Sequence, residues 1–372
     1  VLWSELFNTF KIKIHFAHRT FKWNNEAKGK AAVHVVIIGF ANFDINEKII
    51  YDYDDINSEP HAIPAKAINP YLVDAKELFI KARNLPLINV SKMVYGNKPT
   101  DGGFFLFTDD EKNDFLKSEV AAEKYIKPFI SAHEFLNGKK RWCLWLKDAR
   151  PSDLKSMPKV MERIEGVRRS RLESKKAATR KLAEFPTQFE YVSQPDSDYI
   201  LVPLHTSENR KYIPFGFFNS SHIAANSCSL IPKASLYEFG IISSFVHMVW
   251  VKTVCGRIKS DYRYSGTIVY NNYPWPENPT DKQKQAVEEA AQAVLDARAV
   301  FPESSLADLY DPNTMPPALV KAHQQLDKAV DLCYRPQPFP NETKRIEFLF
   351  ELYDRYTAGL FIKEKKSKKK KL

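Results

Sequence analysis

The stretch MPKVMERIEGVRRSRLESKKAATRKL, residues 157–182, decides how the chain is read. Residues 155–181 hold ten Lys or Arg against three Glu, a local net charge of +7. No proline falls between Pro158 and Pro186, so the stretch is predicted to run as one helix of about seven turns. At helical spacing Met157, Val160, Met161, Ile164 and Val167 share one face, an ordinary core stripe. Beyond Gly166 the same face continues as Arg168, Arg171 and Lys175. A stripe that turns from apolar to basic fits a helix packed at one end and lining an anionic cleft at the other, and nucleic acid is the obvious polyanion. In the competing reading Gly166 breaks the helix, and its second half is a solvated basic face.

Outside this stretch, 372 residues argue for two or three domains. A composition 44% hydrophobic and 13% aromatic excludes wholesale disorder. The chain opens at Val1 inside a hydrophobic pattern and reads as a piece of a longer protein. Its formal charge of +10 is localised. The tail, residues 363–371, has seven Lys and one Glu; with the basic stretch it exceeds the whole, so the remainder is slightly acidic. Cys143, Cys228, Cys255 and Cys333 are far apart without CxxC or Cys/His pairing, so neither a metal site nor a disulfide framework is expected. No apolar run reaches the roughly 18 residues of a membrane span. Residues 241–251 come nearest and contain Ser243, Ser244 and His247. A cytoplasmic protein without a membrane partner is expected.

Along the chain, residues 10–16 (FKIKIHF) alternate as a strand with one wet face, and residues 32–40 (AVHVVIIGF) read as a strand buried on both faces. The polar loop between them carries Phe21 and Trp23. Residues 44–67, acidic and Pro-bearing, read as a linker, and 69–80 as a short helix or strand. Residues 93–107 turn at 98–103 between apolar runs. A helix starts at Asp109 as N-cap, and 138–146 is a buried strand. Residues 199–204 and 212–218 read as two strands, and 235–254 as one buried helix capped by Ser235. Residues 267–270 are a short strand ended by NNYPWP (271–276). An Ala/Gln/Glu/Lys helix capped by Thr280 runs to Ala299, followed by amphipathic helices at 316–333 and 341–356.

Catalytic signatures are missing. There is no Gly-rich cofactor loop, and the nearest approach to the Asn/Asp-Pro-Pro-Tyr/Phe of amino-methylating enzymes is Asn69-Pro70-Tyr71. Pro195-Asp196 and Glu26-Ala27-Lys28 stand in the wrong order for a metal-dependent nuclease. Walker, HExxH and GxSxG patterns are absent. Binding remains. The segment HTSENRK (205–211) offers Ser207, Glu208, Asn209, Arg210 and Lys211 on a hairpin tip. Arg can bridge guanine O6/N7, Asn adenine N6/N7, and Glu can accept from cytosine N4; a solvated turn is the plainer alternative. The phosphate-contact candidates are Arg168, Arg171, Lys175, Lys176 and Arg180.

Several strings together resemble one family: IHFAHRTFKWNNEAKGKAAVHVVIIGF (14–40), MVYGNKPTDGG (93–103), NGKKRWCLWL (137–146), RKLAEFPT (180–187), QPDSDYILVP (194–203), YRYSGTIVYNNYPWP (262–276) and SSLADLYDPNTMPPALVKAHQQLDKAVD (304–331). They are similar to the MmeI-like, Type IIL restriction–modification enzymes and their class I DNA adenine methyltransferase relatives. The resemblance implies an α+β fold: the last strands of an α/β methyltransferase sheet (1–56), a mixed-sheet target-recognition domain with helices (57–277), and a small helical domain with a Lys-rich tail (278–372). It implies double-stranded DNA and an upstream methyltransferase domain of the same chain as partners. S-adenosylmethionine would be the cofactor of the longer protein, and this piece alone would bind no cofactor and catalyse nothing. It places Phe21 and Trp23 where related enzymes stack an aromatic on the flipped base. The rival expectation is a protein- or RNA-interaction module with no DNA specificity.

Overall fold

The computed structural model describes residues 2–23, 33–53 and 57–369, with side chains as far as 358. The chain divides into two compact units, each assembled from separate stretches: Val1–Asn89, Val246–Pro279 and Asp331–Leu372 in one, Val90–Phe245 and Thr280–Val330 in the other. Helices and mixed sheets alternate in both, an α+β construction.

The first unit holds a four-stranded sheet in the spatial order Val33–Ala41, Lys13–Trp23, Lys48–Asp52, His61–Ala65. Lys13–Trp23 is antiparallel to Val33–Ala41 and parallel to Lys48–Asp52. Ile12, Ile14 and Ala17 all face the core; the inward period lengthens from two to three because the pairing register shifts between Ile14 and Phe16. Two expectations fail here. The apolar run, described from Val33 on, is not buried on both faces: Val33–Ala41 is the outer strand of the sheet, with Val33, Val36 and Phe40 each about half exposed. Residues 44–67 are not a linker, since Lys48–Asp52 and His61–Ala65 pair antiparallel. Ile50, 1% exposed, anchors that pair in the core, and Pro64 sits on the outermost strand, where a missing N–H costs no ladder bond.

The same unit contains NNYPWP as a core staple. Asn272, 0% exposed, donates to the carbonyls of Lys81, Thr267 and Ile268 and accepts from Arg83 and Tyr353. A buried amide so fully paired fixes the loop, the helical turn and the helix it ties. The β-branched run before it, expected as a strand, is a π-helical turn, Gly266–Tyr270, whose start is capped by the Ser265 hydroxyl.

The second unit has two four-stranded sheets. One runs Gly216–Phe218, Tyr199–Pro203, Cys228–Pro232, Val94–Tyr95; the other Ile223–Ala224, Ile126–Ile130, Trp142–Leu144, Leu106–Phe107. Tyr199–Pro203 is central and buried at every residue. The helix Pro158–Leu172 covers a core of Phe105, Phe107, Phe129 and Leu144 with Met157, Val160, Ile164 and Val167. Met161, read into that stripe, is instead 41% exposed. The helix does not continue to residue 182; it ends at Leu172, and Ala177–Lys181 forms a separate short turn of helix. Gly166 is no breaker. It lies inside the helix, where an added Cβ would stand 2.5 Å from the Phe104 ring, so glycine is what lets that ring close in. Thr108, not Asp109, caps the next helix upstream through a capping box with Glu111. The helix expected over 235–254 is two, Leu236–Ile242 and Phe245–Val254, parted at Ser243 and Ser244. Asp281–Ala299 begins at Thr280 as expected and packs on Leu236–Ile242 at Gly240, against Val287 and Ala291.

Candidate nucleic-acid interface

The basic stretch divides by residue. Arg171 is 2% exposed and spends all five guanidinium N–H groups on backbone carbonyls. Nε donates to Thr100 (2.9 Å), Nη1 to Leu182 and Phe185 (3.0 Å each), and Nη2 to Pro99 (3.0 Å) and Gln188 (2.6 Å). Desolvation lowers its pKa, opposed by the charges of Asp101 and Glu190. An arginine with no donor left and no exposed face cannot grip a phosphate. The expectation that Arg171 lines an anionic cleft is therefore corrected: it is the hub that fixes residues 99–100 against 182–188. Gly102, at φ +66, follows in that turn, with its α-carbon face against Ser170.

Its neighbours face outward. Arg168 is exposed, 3.6 Å from Glu165. Lys175 and Lys176 are exposed as well. Arg180 is exposed but donates to the carbonyls of Ser174 (2.8 Å) and Lys175 (3.0 Å), closing the turn between the two helices. Arg168, Lys175 and Lys176 thus make a solvated cationic rim, which joins part of each starting alternative: packed at one end, open at the other.

Residues 205–211 lie in the connection between Tyr199–Pro203 and Gly216–Phe218, which pair antiparallel; His205–Thr206 is a short strand and the turn proper follows it at 207–210. The Asn209 N–H donates to the Ser207 hydroxyl and the Arg210 N–H to the Ser207 carbonyl (3.2 Å), so the tip is locally closed. Asn209 and Lys211 are exposed; Ser207, Glu208 and Arg210 are half-buried. The Arg210 guanidinium lies 3.4 Å from the Thr206 hydroxyl. Lys211 places its ammonium 5.5 Å over both the Tyr212 and Phe245 rings. Tyr212 is the residue that reading by segment missed. It is buried, and what anchors it lies more than a hundred residues away, where no local pattern points.

Phe21 and Trp23 close the strand Lys13–Trp23. Phe21 is half-buried and stacked on Tyr53 with centroids 5.2 Å apart at 16°. Tyr53 in turn shares a 2.8 Å hydrogen bond with His18. Trp23 is 52% exposed. The remainder of that loop, 24–32, lies outside the described residues. Among the described residues no cluster of His, Cys, Asp and Glu could hold a metal. No helix among them is long and apolar enough to cross a membrane. All four cysteines are free, and burial pushes their thiols up, so none is an activated nucleophile.

The chain belongs to the MmeI family: residues 74–277 match the MmeI target recognition domain, 279–361 the MmeI C-terminal domain, and 1–52 the MmeI DNA-methyltransferase domain. It is 40% identical over 359 residues to DNA methyltransferase A of Bacillus subtilis (strain 168), covering 96% of this chain and 40% of that protein. It is also similar to the Type IIL restriction-modification enzyme MmeI, whose structure was solved in complex with DNA. There the identity is 52% and the TM-score 0.83, over 93% of this chain and 46% of the other. The chain spans less than half the length of both relatives.

Proposed function

We propose that this chain is the sequence-reading part of a site-specific DNA adenine-N6 methyltransferase of the restriction–modification type. It grips duplex DNA through outward Lys and Arg, reads a short asymmetric site through a groove, and presents one flipped adenine to a catalytic domain elsewhere in the longer protein. Boundaries at 1–56, 57–277 and 278–372 accompany this reading. One observation carries it: the turn 205–211 holds Glu208, Asn209 and Arg210, acceptor and donor groups suited to base edges, on a base buried in the protein core. Phosphate contact is assigned to Arg168, Lys175 and Lys176, with Arg180 at the margin, and base stacking to Phe21 or Trp23. Trp23 is the better candidate, being exposed while Phe21 already stacks on Tyr53.

S-adenosylmethionine belongs to the longer protein. The described residues do not fit it, because the sheet strands in the methyltransferase match carry no glycine-rich turn. Methyl transfer, and cleavage if the longer protein also carries an endonuclease, are assigned to regions outside this chain, acting in the cytoplasm where DNA is reached.

The test is equilibrium binding by the longer protein to cognate duplex, unrelated duplex and single-stranded RNA across a salt series. Recognition of duplex DNA gives a cognate affinity on the order of 10³-fold or more above unrelated duplex, both falling steeply with salt. Tight binding to single-stranded RNA with weak, indiscriminate duplex binding overturns the proposal in favour of an RNA-interaction module.

A further inference from the structure

The turn 205–211 runs directly into a segment clamped at both ends by helices that follow residue 280 in the chain. Tyr212 is 1% exposed and Phe215 0%. The Tyr212 ring stacks on His323 at 4.0 Å and 17°, and its hydroxyl donates to Asp327 Oδ2 at 2.7 Å. Asp327 Oδ1 accepts the Phe245 N–H, also at 2.7 Å, so one carboxylate joins the segment to the start of the helix Phe245–Val254. At the other end Arg298 Nη1 donates to the Phe215 carbonyl (2.6 Å) while its Nε donates to the Tyr310 hydroxyl (2.7 Å). Tyr310 then hydrogen-bonds His323 Nε2 at 2.8 Å, which closes the circuit back to the Tyr212 stack. Arg298 Nε and His323 Nε2 thus meet on one phenolic oxygen. Burial lowers the His323 pKa well below its ordinary value, so the imidazole is neutral.

We propose that Tyr212, Asp327 and His323 are positioning residues for base recognition: they set where the turn 205–211 stands, and so determine sequence specificity without touching DNA. The inference rests on that turn being the base reader. Base-edge hydrogen bonds tolerate little displacement, and a reading side chain is only as well placed as the residues behind it. Lys211, beside Glu208 to Arg210 in sequence, is itself seated over the Tyr212 and Phe245 rings. Any shift of Tyr212 is therefore passed to the tip. A buried hydrogen-bonded circuit resists such shifts cooperatively.

The experiment measures, in the longer protein, the ratio of binding to cognate duplex over each single-base-pair variant of the site. Glu208→Ala and Arg210→Ala first locate the base pair that the turn reads. Tyr212→Phe and Asp327→Ala are then expected to lower discrimination at that base pair by about five- to tenfold. Discrimination elsewhere in the site and binding to unrelated duplex should change by less than about twofold. Asp327→Asn, which keeps an acceptor for the Phe245 N–H, should recover most of the loss. If Glu208→Ala and Arg210→Ala single out no base pair, the reading of the turn fails and this inference with it. If they do, and Tyr212→Phe leaves the ratio unchanged or lowers it evenly at every position, the reading stands and the positioning role is wrong. Tyr212→Phe is the decisive variant because it removes one hydroxyl and keeps the ring stack, so it is the least disruptive to folding.

Discussion

Arg171 and Arg210 lie on opposite sides of a division the molecule makes among its arginines. Both stand in short polar stretches that suggest DNA contact. Arg171 is wholly buried, its five donors bound to carbonyls from two segments, 99–100 and 182–188. Arg210 stands half-buried on a closed turn above a clamped base. One cation organises distant backbone, and the other sits on a locally closed turn beside Thr206. Density of positive charge in a sequence therefore does not locate a binding surface: the number of backbone carbonyls that converge on a guanidinium decides which way it turns.

The sharpest way to break this contrast is Arg171→Ala. Five backbone carbonyls lose a charged donor, each such bond contributing roughly 1.5–3 kcal/mol without strict additivity. A loss of at least about 3 kcal/mol in denaturant unfolding is expected, and Arg171→Lys, with three donors in place of five, should recover only part of it. Normal stability combined with a selective loss of DNA binding would return Arg171 to the interface. Gly166→Ala probes the same region from inside the helix. With the Phe104 ring 2.5 Å from the new Cβ, overpacking of about 1–3 kcal/mol is expected. A rise in stability, as for an ordinary helical glycine, would mean that the ring moves aside freely.

Much of this architecture was legible in the sequence. Ser235 and Thr280 are capping-box N-caps because each has its Glu or Gln three residues on, a wholly local signal. The strand Tyr199–Pro203 followed from an uninterrupted apolar run. The apolar face Met157, Val160, Ile164 and Val167 followed from helical period. What escaped depends on partners distant in sequence. Nothing near Arg171 announces the carbonyls of Pro99 or Gln188, and nothing near Tyr212 announces Asp327. The strand Val33–Ala41 misled because an outer strand can be as apolar as a central one. Residues 48–52 and 61–65 were hidden by acidic neighbours, although Ile50 and Ile63 are the residues that pair. In the candidate site, the side-chain types of 205–211 stand in the sequence, whereas the anchorage of the segment that follows does not.

Smaller effects separate the rim from the hub. Arg168→Glu together with Lys175→Glu should weaken binding to all duplexes alike and reduce the salt slope by about one for each phosphate no longer neutralised. Thermal stability should barely move, since both side chains are exposed. A slope that stays constant would remove these cations from the interface. Trp23→Ala should leave duplex binding nearly intact and depress methylation by the longer protein. An equal loss of both would assign Trp23 to general DNA binding instead of stacking on the flipped base.

The most direct measurement is sequencing of the sites methylated by the longer protein when Glu208 or Arg210 is replaced by another hydrogen-bonding residue. The methylated site is expected to change at one base pair and to hold at every other, each base-edge pairing contributing roughly 1–3 kcal/mol of discrimination. Methylation that falls uniformly, with the recognised site unchanged at every position, would contradict a base-reading role for the turn.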